Sequence, residues 1–562
     1  MEPISAARRL VAAPIWAHAA ALLVVLCAVL PIIGTTSQFS ADEGAAIAQA
    51  VNLERGDGWA IPHPFRVADP TGDAFPLELS TRAGDKFAPY AKHPIYPAML
   101  AVAFRVAGRA GMVFLSIAGT VLAAVFTALL ARRIDSSLAV PALWVVGIAS
   151  PLFFDSYVVI AHTLGAACAA AAMLCALQII HRPGARRWYF ALLATITIGT
   201  MLRTEMLFLA IALSVGVVVV SRRRGPTSWR LVAVPLIGAA GGWLADRVLL
   251  EIVVSGATGS TPWVSQPSGG VVANRIVAFI VTWLLPSYAP GPGDVLLLVA
   301  VAAGAVAAVV ARTRPTDLDG VRLFAAVAGL AGLMRLAFGP GPVPGLLVAF
   351  PLVAIGFAAL GRRRLPTVAS ELYATTFVLF ALAVLATQYG TGGSGEWGGR
   401  YFAIGLPLLV PLLVYGVHEG GRRVDRHTAV IAVAGLATLS LSMSVLAVVT
   451  LRHFHRETDA LVSAVDVTAS THPASDGGNP VVISSSGAAA RLAFTLLDRT
   501  RWLTVPSDQL DAYGRRVRDL TAGPVTFVTR DEDDVHRLDA VYRVETATKV
   551  AGDWIVVVLQ PR

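Results

Sequence analysis

Long apolar runs recur along the chain, and charged residues are gathered between them. A helix that crosses the hydrocarbon core of a bilayer needs about 20 mostly apolar residues. By that measure the pattern predicts about thirteen transmembrane helices, at residues 14–33, 111–131, 138–154, 157–180, 188–202, 206–220, 231–250, 295–311, 323–338, 343–360, 373–388, 402–417 and 429–451. The first run lacks a convincing cleavage site and many spans follow it, so we interpret it as a retained helix and not as a signal peptide.

Arginines are grouped in every second loop between the apolar runs. Groups of them stand at residues 8–9, 132–133, 182–187, 222–224, 312–314, 362–364 and 422–423. With thirteen spans all of these groups lie on one side of the membrane, and the positive-inside rule makes that side the cytoplasm. We therefore predict a multi-pass protein of a bacterial plasma membrane, with a cytoplasmic N-terminus and a long first external loop at residues 35–93.

The last part of the chain changes to the composition of a soluble domain. Strands are predicted at 481–484, 502–505, 525–529 and 554–559, and helices at 488–497 and 508–521. Alternating strands and helices are typical of an α/β layer with parallel pairing. The predicted fold class is therefore an all-α polytopic membrane domain over residues 1–451, followed by a small extracytoplasmic α/β domain over residues 452–562.

The amino-acid composition supports the membrane interpretation and argues against other classes of protein. Of 562 residues 56% are hydrophobic and only 14% are charged, against roughly 25% charged in an average soluble domain. The net charge of +9 comes from arginines at the loops and does not form a basic face, so we predict no nucleic-acid partner. The three cysteines lie in apolar runs, which gives no sign of a disulfide framework.

The first external loop opens with two adjacent carboxylates, Asp42 and Glu43, just after Ser40. Ser40 and Glu43 have the spacing of a capping box, which is a purely structural reading of this helix start. That reading leaves the Asp42 carboxylate free to act as a general base at the membrane surface. At the far end of the same loop stands Lys92, which either extends its ammonium to the membrane boundary or binds a lipid-linked phosphate.

Four ionisable residues are predicted near the outer ends of spans. Asp155 and His162 are seven positions apart, so on one helix they would share a face. Arg203 and Glu205 lie two positions apart, and such a pair does not meet on a regular helix. Either the helix breaks there or each side chain has its own partner, and a structural ion pair is as good an interpretation as a binding site.

The last external loop, residues 390–401, is rich in glycine and ends in Arg400 and Tyr401, with Glu396 before them. The planar guanidinium of Arg400 suits a phosphate, although a plain flexible loop would have the same composition. Polar residues inside the predicted spans thus collect on the outer side, and no series of carboxylates crosses the midplane. This favours chemistry on an amphipathic substrate at the outer leaflet over proton-coupled transport.

Taken in order, these motifs resemble the integral-membrane glycosyltransferases of the GT-C type, which include protein O-mannosyltransferases and aminoarabinose transferases. The acidic pair at residues 42–43 is similar to the motif that these enzymes carry early in the first external loop. Residues 92–97 resemble the segment at the end of that loop, and residues 202–205 resemble an Arg-Pro-Glu element in which Thr204 replaces the proline. Residues 397–401 are similar to a Trp-Gly-Pro-Arg-Tyr element in which Gly399 replaces the proline. The resemblance covers the whole membrane part and not the C-terminal domain.

The resemblance implies an inverting transfer of a sugar from polyprenyl phosphate to a hydroxyl of a glycan, lipid or protein. Asp42 would take the proton of that hydroxyl, and Lys92, Arg203 and Arg400 would stabilise the leaving phosphate. The predicted substrate contacts are Glu43, Lys92, His93, Tyr96, Asp155, His162, Arg203, Glu205, Glu396, Arg400 and Tyr401. These residues do not require a cofactor. Whether the carboxylates bind a divalent metal ion is left open.

Two alternatives from other functional classes remain open. A transporter or flippase of lipid-linked saccharides would not need Asp42 for any bond-making step. A non-catalytic scaffold would depend on the C-terminal domain alone.

Overall fold

The computed structural model describes residues 13–77, 80–90, 92–224, 229–254, 257–260, 271–284, 291–341, 343–361, 364–387 and 397–562. The chain in these ranges is a multi-pass membrane protein built mainly from helices. Nine of the described helices are long and apolar enough to cross a membrane. These are Ile15–Ile33, Ile95–Ala131, His162–His181, Glu205–Arg223, Pro292–Thr313, Leu318–Phe338, Val368–Thr387, Arg400–Gly421 and Arg426–Thr471. The count of thirteen spans stays a prediction.

The N-terminal half begins with α1 (Ile15–Ile33) and the loop helix α2 (Ala41–Arg55). The further helices of this half are α3 (Ile95–Ala131), α4 (Ala139–Trp144), α5 (Pro151–Asp155), α6 (His162–His181), α7 (Arg186–Leu202), α8 (Glu205–Arg224) and α9 (Trp229–Val253). Four short strands, β1 (Ile61–Pro62), β2 (Thr81–Ala83), β3 (Lys86–Ala88) and β4 (Ala257–Ser260), form an antiparallel sheet in the order β1-β3-β2-β4. This sheet lies within the first loop, and β4 joins it from the loop after α9.

The second half of the membrane domain continues in the same way. Its helices are α10 (Val271–Trp283), α11 (Pro292–Thr313), α12 (Leu318–Arg335), α13 (Leu346–Ala349), α14 (Leu352–Leu360), α15 (Val368–Thr387), α16 (Leu406–Gly421) and α17 (Arg426–Thr471). One hydrophobic core runs through the bundle from α1 to α17. Helix α17 is N-capped by Asp425 and continues without a break for 46 residues, through the predicted domain boundary at residue 452.

Two predicted spans are broken in the structure. The segment 138–154 is interrupted at Ser150, whose side chain caps α5, and Pro151 begins the new helix. The segment 343–360 is divided between α13 and α14 at Phe350 and Pro351. Proline is tolerated in the first turn of a helix but removes a hydrogen bond from a helix interior, so each break has a local cause.

Of the arginine groups that the structure describes, the one at residues 132–133 lies at the helix end opposite the first loop, and Arg422 lies near it. Helix α3 begins at Ile95, directly after that loop, is kinked at Ala107 and Gly108, and ends beside Arg132 and Arg133. The side chain of Arg423 donates to the backbone oxygen of Arg312 at 2.9 Å, so two of the predicted groups meet. We call the end that carries residues 35–93 the loop face. The assignment of that face to the outside of a bacterial cell stays a prediction.

The C-terminal part is the α/β domain that was predicted. Its elements are β5 (Val481–Ser484), α18 (Gly487–Leu492), β6 (Arg501–Thr504), α19 (Leu510–Thr521), β7 (Val525–Thr529), α20 (Glu532–Arg537), β8 (Tyr542–Lys549) and β9 (Ile555–Pro561). The sheet has the order β6-β5-β7-β9-β8, in which β5 is parallel to β6 and β7. Parallel pairing was therefore right for the first three strands, whereas β9 is antiparallel to both of its neighbours.

This domain packs directly on the first loop. The backbone nitrogen of Thr504 donates to Ala74 at 3.0 Å, and its hydroxyl donates to Pro76 at 3.0 Å. The hydroxyl of Tyr513 donates to Asp69 at 3.1 Å. Side chains of the loop also share one hydrophobic core with the sheet. The loop and the domain are thus held together by both apolar packing and hydrogen bonds.

Candidate active site

Asp42 lies in the first turn of α2 at the loop face. Ser40 is extended and N-caps the helix by accepting a hydrogen bond from the Glu43 nitrogen at 3.3 Å. The Asp42 side chain points away from this cap, where Arg400 donates to its Oδ2 at 2.9 Å and Arg491 donates to its Oδ1 at 3.0 Å. About a third of the side chain, 33%, stays exposed to solvent. Three distant segments of the chain therefore meet at one carboxylate.

Cations dominate the electrostatics around Asp42. Burial raises the pKa of this carboxyl, but Arg400, Lys92 and Arg491 outweigh burial and hold its pKa well below the ordinary value. The Lys92 ammonium reaches solvent, yet enough protein surrounds it that desolvation lowers its pKa, against the opposing effect of Asp42. Asp42 and Lys92 are thus partly exposed to solvent yet closely surrounded by protein, and we call this place the cleft.

Glu43 is buried and its carboxylate is used by the backbone. Its Oε2 accepts from the Phe39 nitrogen at 2.7 Å, and its Oε1 accepts from the Val159 nitrogen at 2.7 Å. Burial raises the pKa of Glu43 to about 7, although both of these N–H groups act to lower it. The side chain thus joins the start of α2 to the turn before α6. The predicted substrate contact for Glu43 has no exposed oxygen to make it, and we infer a structural role instead.

Arg400 is held in place by the turn that precedes it. Gly398 and Gly399 have φ of 74° and 69°, and a β-carbon on Gly399 would lie 2.7 Å from the Thr282 side chain. Proline is fixed near φ −65° and could not adopt the Gly399 conformation, which explains why this sequence departs from the Trp-Gly-Pro-Arg-Tyr pattern. Trp397 anchors the turn by stacking on Phe154, with ring centroids 5.4 Å apart.

Tyr401 and Glu396, the neighbours of Arg400 in the predicted site, have different outcomes. The Arg400 guanidinium donates to the Tyr401 hydroxyl at 3.2 Å and lies 5.0 Å from the centre of that ring. Glu396 and the glycines before it lie outside the described residues, so the contact predicted for Glu396 stays a prediction.

Arg203 and Glu205 form a two-pronged ion pair. Arg203 Nε donates to Glu205 Oε2 at 3.1 Å, and Arg203 Nη2 donates to Oε1 at 2.5 Å. The pair can form because α7 ends at Leu202, Arg203 is extended, and α8 begins at Glu205. Of the two interpretations left open by the sequence, the helix break is the one observed. Tyr90, which the sequence analysis did not single out, lies close enough to feel the charges of this pair and of Asp42, and burial raises its pKa to about 12.

Asp155 and His162 meet, although not on one helix. Helix α5 ends at Asp155 and α6 begins at His162, so the expectation that both share a helix face is wrong. The turn between the two helices brings Asp155 Oδ2 within 3.6 Å of His162 Nδ1, and both side chains are buried. His162 is also close enough to feel the charges of Arg203 and Arg400. The pair is thus buried and close to the cations around Asp42.

His93 and Tyr96 lie at the start of α3 and are both buried. His93 has φ of 51°, which is uncommon for a residue with a side chain. Its ring is held between the Thr204 hydroxyl at 3.1 Å and Asp246 Oδ2 at 3.3 Å. The sequence analysis missed Asp246, which lies in the apolar run of α9 and has no local motif around it.

Arg491 is a third residue that the sequence analysis missed, after Tyr90 and Asp246. It belongs to α18 of the C-terminal domain, in which the sequence analysis predicted no site residue. Nothing in its surroundings marked it, since it is one arginine in an ordinary helical stretch. Among the described residues, no three His, Cys, Asp or Glu side chains come together in a way that could hold a metal ion.

The chain is similar in fold to two solved structures of ArnT from Cupriavidus metallidurans. The apo structure has a TM-score of 0.50 and 13% sequence identity, over 95% of this chain and 96% of that one. The structure bound to undecaprenyl phosphate has a TM-score of 0.50 and 15% identity, over 96% and 97%. The apo oligosaccharyltransferase of Archaeoglobus fulgidus gives a TM-score of 0.47 and 13% identity, over 94% of this chain and 73% of that one.

No protein-family model matches the sequence, and no curated protein matches it either. The likeness to ArnT extends over the membrane domain and the C-terminal domain together. It confirms the predicted fold class, a GT-C-like polytopic all-α membrane domain followed by a small α/β domain.

Proposed function

We propose that this protein is a membrane glycosyltransferase that moves a sugar from a polyprenyl-phosphate donor to an acceptor hydroxyl with inversion. The observation that carries the proposal is the arrangement of charge at Asp42. Arg400 and Arg491 contact its carboxylate, and Lys92 lies close by. Counted over the described residues named here, three cations around one carboxylate carry an excess of two positive charges at a place that is partly open to water.

That excess matches a phosphate that gains charge during the reaction. A sugar joined to a lipid through one phosphate carries a single negative charge, and the released lipid phosphate carries close to two. Cations already in place where charge develops stabilise the transition state without reorganisation. The ion pair of Arg203 with Glu205 is neutral as a unit, so it adds shape and hydrogen-bond donors without changing this balance.

In the proposed reaction the acceptor hydroxyl gives its proton to Asp42 while its oxygen attacks the anomeric carbon. The bond from that carbon to the phosphate oxygen breaks, and its electron pair stays on the phosphate beside Arg400 and Lys92. One displacement inverts the anomeric centre and needs a single carboxylate. Asp42 fits this role because it is ionised, partly exposed and held at a helix start, whereas Glu43 is buried against the backbone.

The nature of the donor is supported by the fold and by the position of the site. The ArnT structure of the same fold binds undecaprenyl phosphate. The candidate site lies at one end of the membrane helices, where a lipid phosphate would sit. We extend the proposal to a glycan, lipid or protein acceptor on the outside of a bacterial plasma membrane, with the loop face and the C-terminal domain extracytoplasmic.

The decisive experiment compares the Asp42→Asn variant with wild type. Purified protein is incubated with undecaprenyl-phosphate hexoses and pentoses carrying a labelled sugar, with extracted membrane glycolipids and peptides as acceptors, and released undecaprenyl phosphate is measured. Loss of the general base is expected to lower transfer by about 100-fold or more, while the folded yield is unchanged. Asp57→Asn is the matched control, because Asp57 is an exposed acid just after the same helix.

Transfer by Asp42→Asn at the wild-type rate would refute the assigned base. Movement of the labelled donor across vesicles by wild type and Asp42→Asn alike, without sugar transfer, would instead favour the flippase.

A further inference from the structure

Arg491 reaches the active site from a different domain, and its side chain is firmly seated. Its Nε donates to the Gly487 oxygen one turn earlier in α18 at 3.1 Å, and its Nη1 donates to Asp42. Only 10% of the side chain is exposed. An arginine bound at two nitrogens has given up most of its side-chain freedom before any substrate arrives, so it is preorganised.

The backbone around Arg491 is fixed as well. Helix α18 lies so close to α2 that a β-carbon built on Gly44 would overlap the Arg491 carbonyl oxygen. Beside this contact, the side-chain amide of Gln38 donates to the Leu492 oxygen. Because both contacts involve the α18 backbone, the guanidinium cannot leave Asp42 without a change of rotamer that breaks its bond to Gly487, or a movement of the whole helix.

Arg400 differs from Arg491 in the neighbours that it has. Its side chain is 20% exposed, against 10% for Arg491. Lys92 and Arg203 lie near enough to Arg400 for its charge to act on both of them. The two oxygens of Asp42 are therefore held from two parts of the protein, by Arg400 near the cations of the membrane domain and by Arg491 of the C-terminal domain.

We propose that Arg491 is a positioning residue of the active site, so that the C-terminal α/β domain is a working part of the transferase. Arg491 stays on Oδ1 of Asp42 and fixes the carboxylate, while Arg400 moves from Oδ2 to the phosphate of the arriving donor. Oδ2 is thereby freed to receive the acceptor's proton. This inference rests on the proposed function. It adds the order of binding, because the donor must bind before Asp42 can act as a base.

The exchange is balanced in charge and in hydrogen bonds. A guanidinium that leaves a carboxylate oxygen for a phosphate keeps a charged acceptor, and the planar fork can bind phosphate through two N–H groups. Asp42 keeps one cation and therefore remains ionised until the hydroxyl proton arrives. The proton ends on Oδ2, and the negative charge lost by Asp42 is gained by the leaving phosphate. No other reactant is needed.

The test uses steady-state kinetics of the full-length protein with undecaprenyl-phosphate sugar as donor. Arg491→Gln is expected to lower kcat by up to about 100-fold through misplacement of the base, with KM for the donor within about twofold of wild type. The acid limb of kcat/KM should move to higher pH, because removal of one cation raises the pKa of Asp42. Arg491→Lys restores the charge and should return the acid limb toward wild type.

The matched control is Arg55→Gln. Arg55 lies at the other end of α2 and pairs with Asp498 of the same domain, but this ion pair is exposed and far along the helix from Asp42. If Arg491 only attaches the domain to the loop, both variants will change activity alike and neither will shift the acid limb, which would overturn the inference. A rise in donor KM with kcat unchanged would also overturn it, because that result makes Arg491 the phosphate ligand.

A second measurement does not depend on activity. In thermal unfolding, Asp42→Asn and Arg491→Gln should be non-additive when combined, whereas Asp42→Asn and Arg55→Gln should be additive. Additivity of the first pair would overturn the contact itself and leave the proposed transferase standing. Absence of transfer by wild type with every donor, together with non-additivity, would overturn the proposed function and with it the positioning role, while the contact would survive.

Discussion

The substitution Asp69→Asn tests how the C-terminal domain is attached to the first loop. Asp69 is fully buried, and its Oδ2 accepts from the His63 ring at 2.8 Å and from the Ala74 nitrogen at 2.8 Å. Its Oδ1 accepts from Tyr513 of the C-terminal domain at 3.1 Å and from two further backbone nitrogens. An asparagine has only one side-chain oxygen. Its NH₂ group would therefore lie against N–H or O–H donors and could not accept hydrogen bonds from them.

The size of the effect follows from the hydrogen bonds and from the pKa. Burial raises the pKa of Asp69, but the bonds from His63 and Ala74 outweigh it and lower the pKa to about 2. Relative to an ordinary value near 3.8, that shift corresponds to about 2 kcal/mol of stability at neutral pH. Because the pKa is lowered, this stability is present above about pH 4 and is lost as the pH falls toward 2. Unpaired N–H groups add about 1–3 kcal/mol to the cost of the substitution.

The assay is thermal unfolding at pH 7, followed by limited proteolysis of the loop and the domain. A loss of about 3–5 kcal/mol in the first loop and the C-terminal domain together lowers Tm by roughly 6–20 °C, and cleavage between the membrane domain and β5 should become faster. Asp73→Asn is the control, since Asp73 is exposed and uses only its backbone nitrogen in this network. An Asp69→Asn protein with wild-type Tm and wild-type resistance to protease would refute the reasoning.

Three further predictions concern the helix that carries the base. Glu43→Gln leaves one of two buried N–H groups without an acceptor and should cost about 1–3 kcal/mol in thermal unfolding, whereas Asp42→Asn should leave Tm near wild type. Gly44→Ala would press a β-carbon on the Arg491 carbonyl, so transfer activity and protease resistance of the C-terminal domain should both fall, and an unchanged activity would contradict that contact. Because cations hold the pKa of Asp42 below its ordinary value, protonation of Asp42 should not lower kcat/KM as the pH falls from 8 to 5. Arg400→Gln should move this acid limb to higher pH.

Much of the fold could be predicted because its signals are local. Apolar runs of 20 residues identify helices, and the buried strands at 481–484 and 525–529 were predicted with the bounds that the structure has. The breaks at residues 150 and 350 were not predicted, since each stands inside an apolar run that reads as continuous. Strand β8 was missed for the opposite reason: after its first residue every side chain is exposed, so it lacks the alternation of buried and exposed positions that marks a strand.

For the candidate site, the sequence predicted the types of residue better than their geometry. Asp42, Lys92, Arg203 and Arg400 were chosen because ionisable groups are costly near a bilayer, and the structure brings them together at the loop face. The partner of Asp42 that comes from the C-terminal domain is 449 positions away in sequence. Its role depends on how two domains dock, and a single sequence carries no record of that docking.

Asp42 differs from its neighbour Glu43 in what surrounds each charge, and this difference suits the proposed reaction. The Glu43 carboxyl accepts from two backbone N–H groups, which cannot turn to a second anion. The negative charge of Asp42 is balanced by cations that can also bind a second anion. When the acceptor proton neutralises Asp42, the same cations face a phosphate whose charge has grown by one, so the total charge of the site and its substrates is unchanged. Once the donor is bound and Arg400 has moved to its phosphate, negative charge moves between groups whose cations are already in place, so little further reorganisation is required of the protein. The anchored Arg491 keeps the carboxylate in place during that transfer.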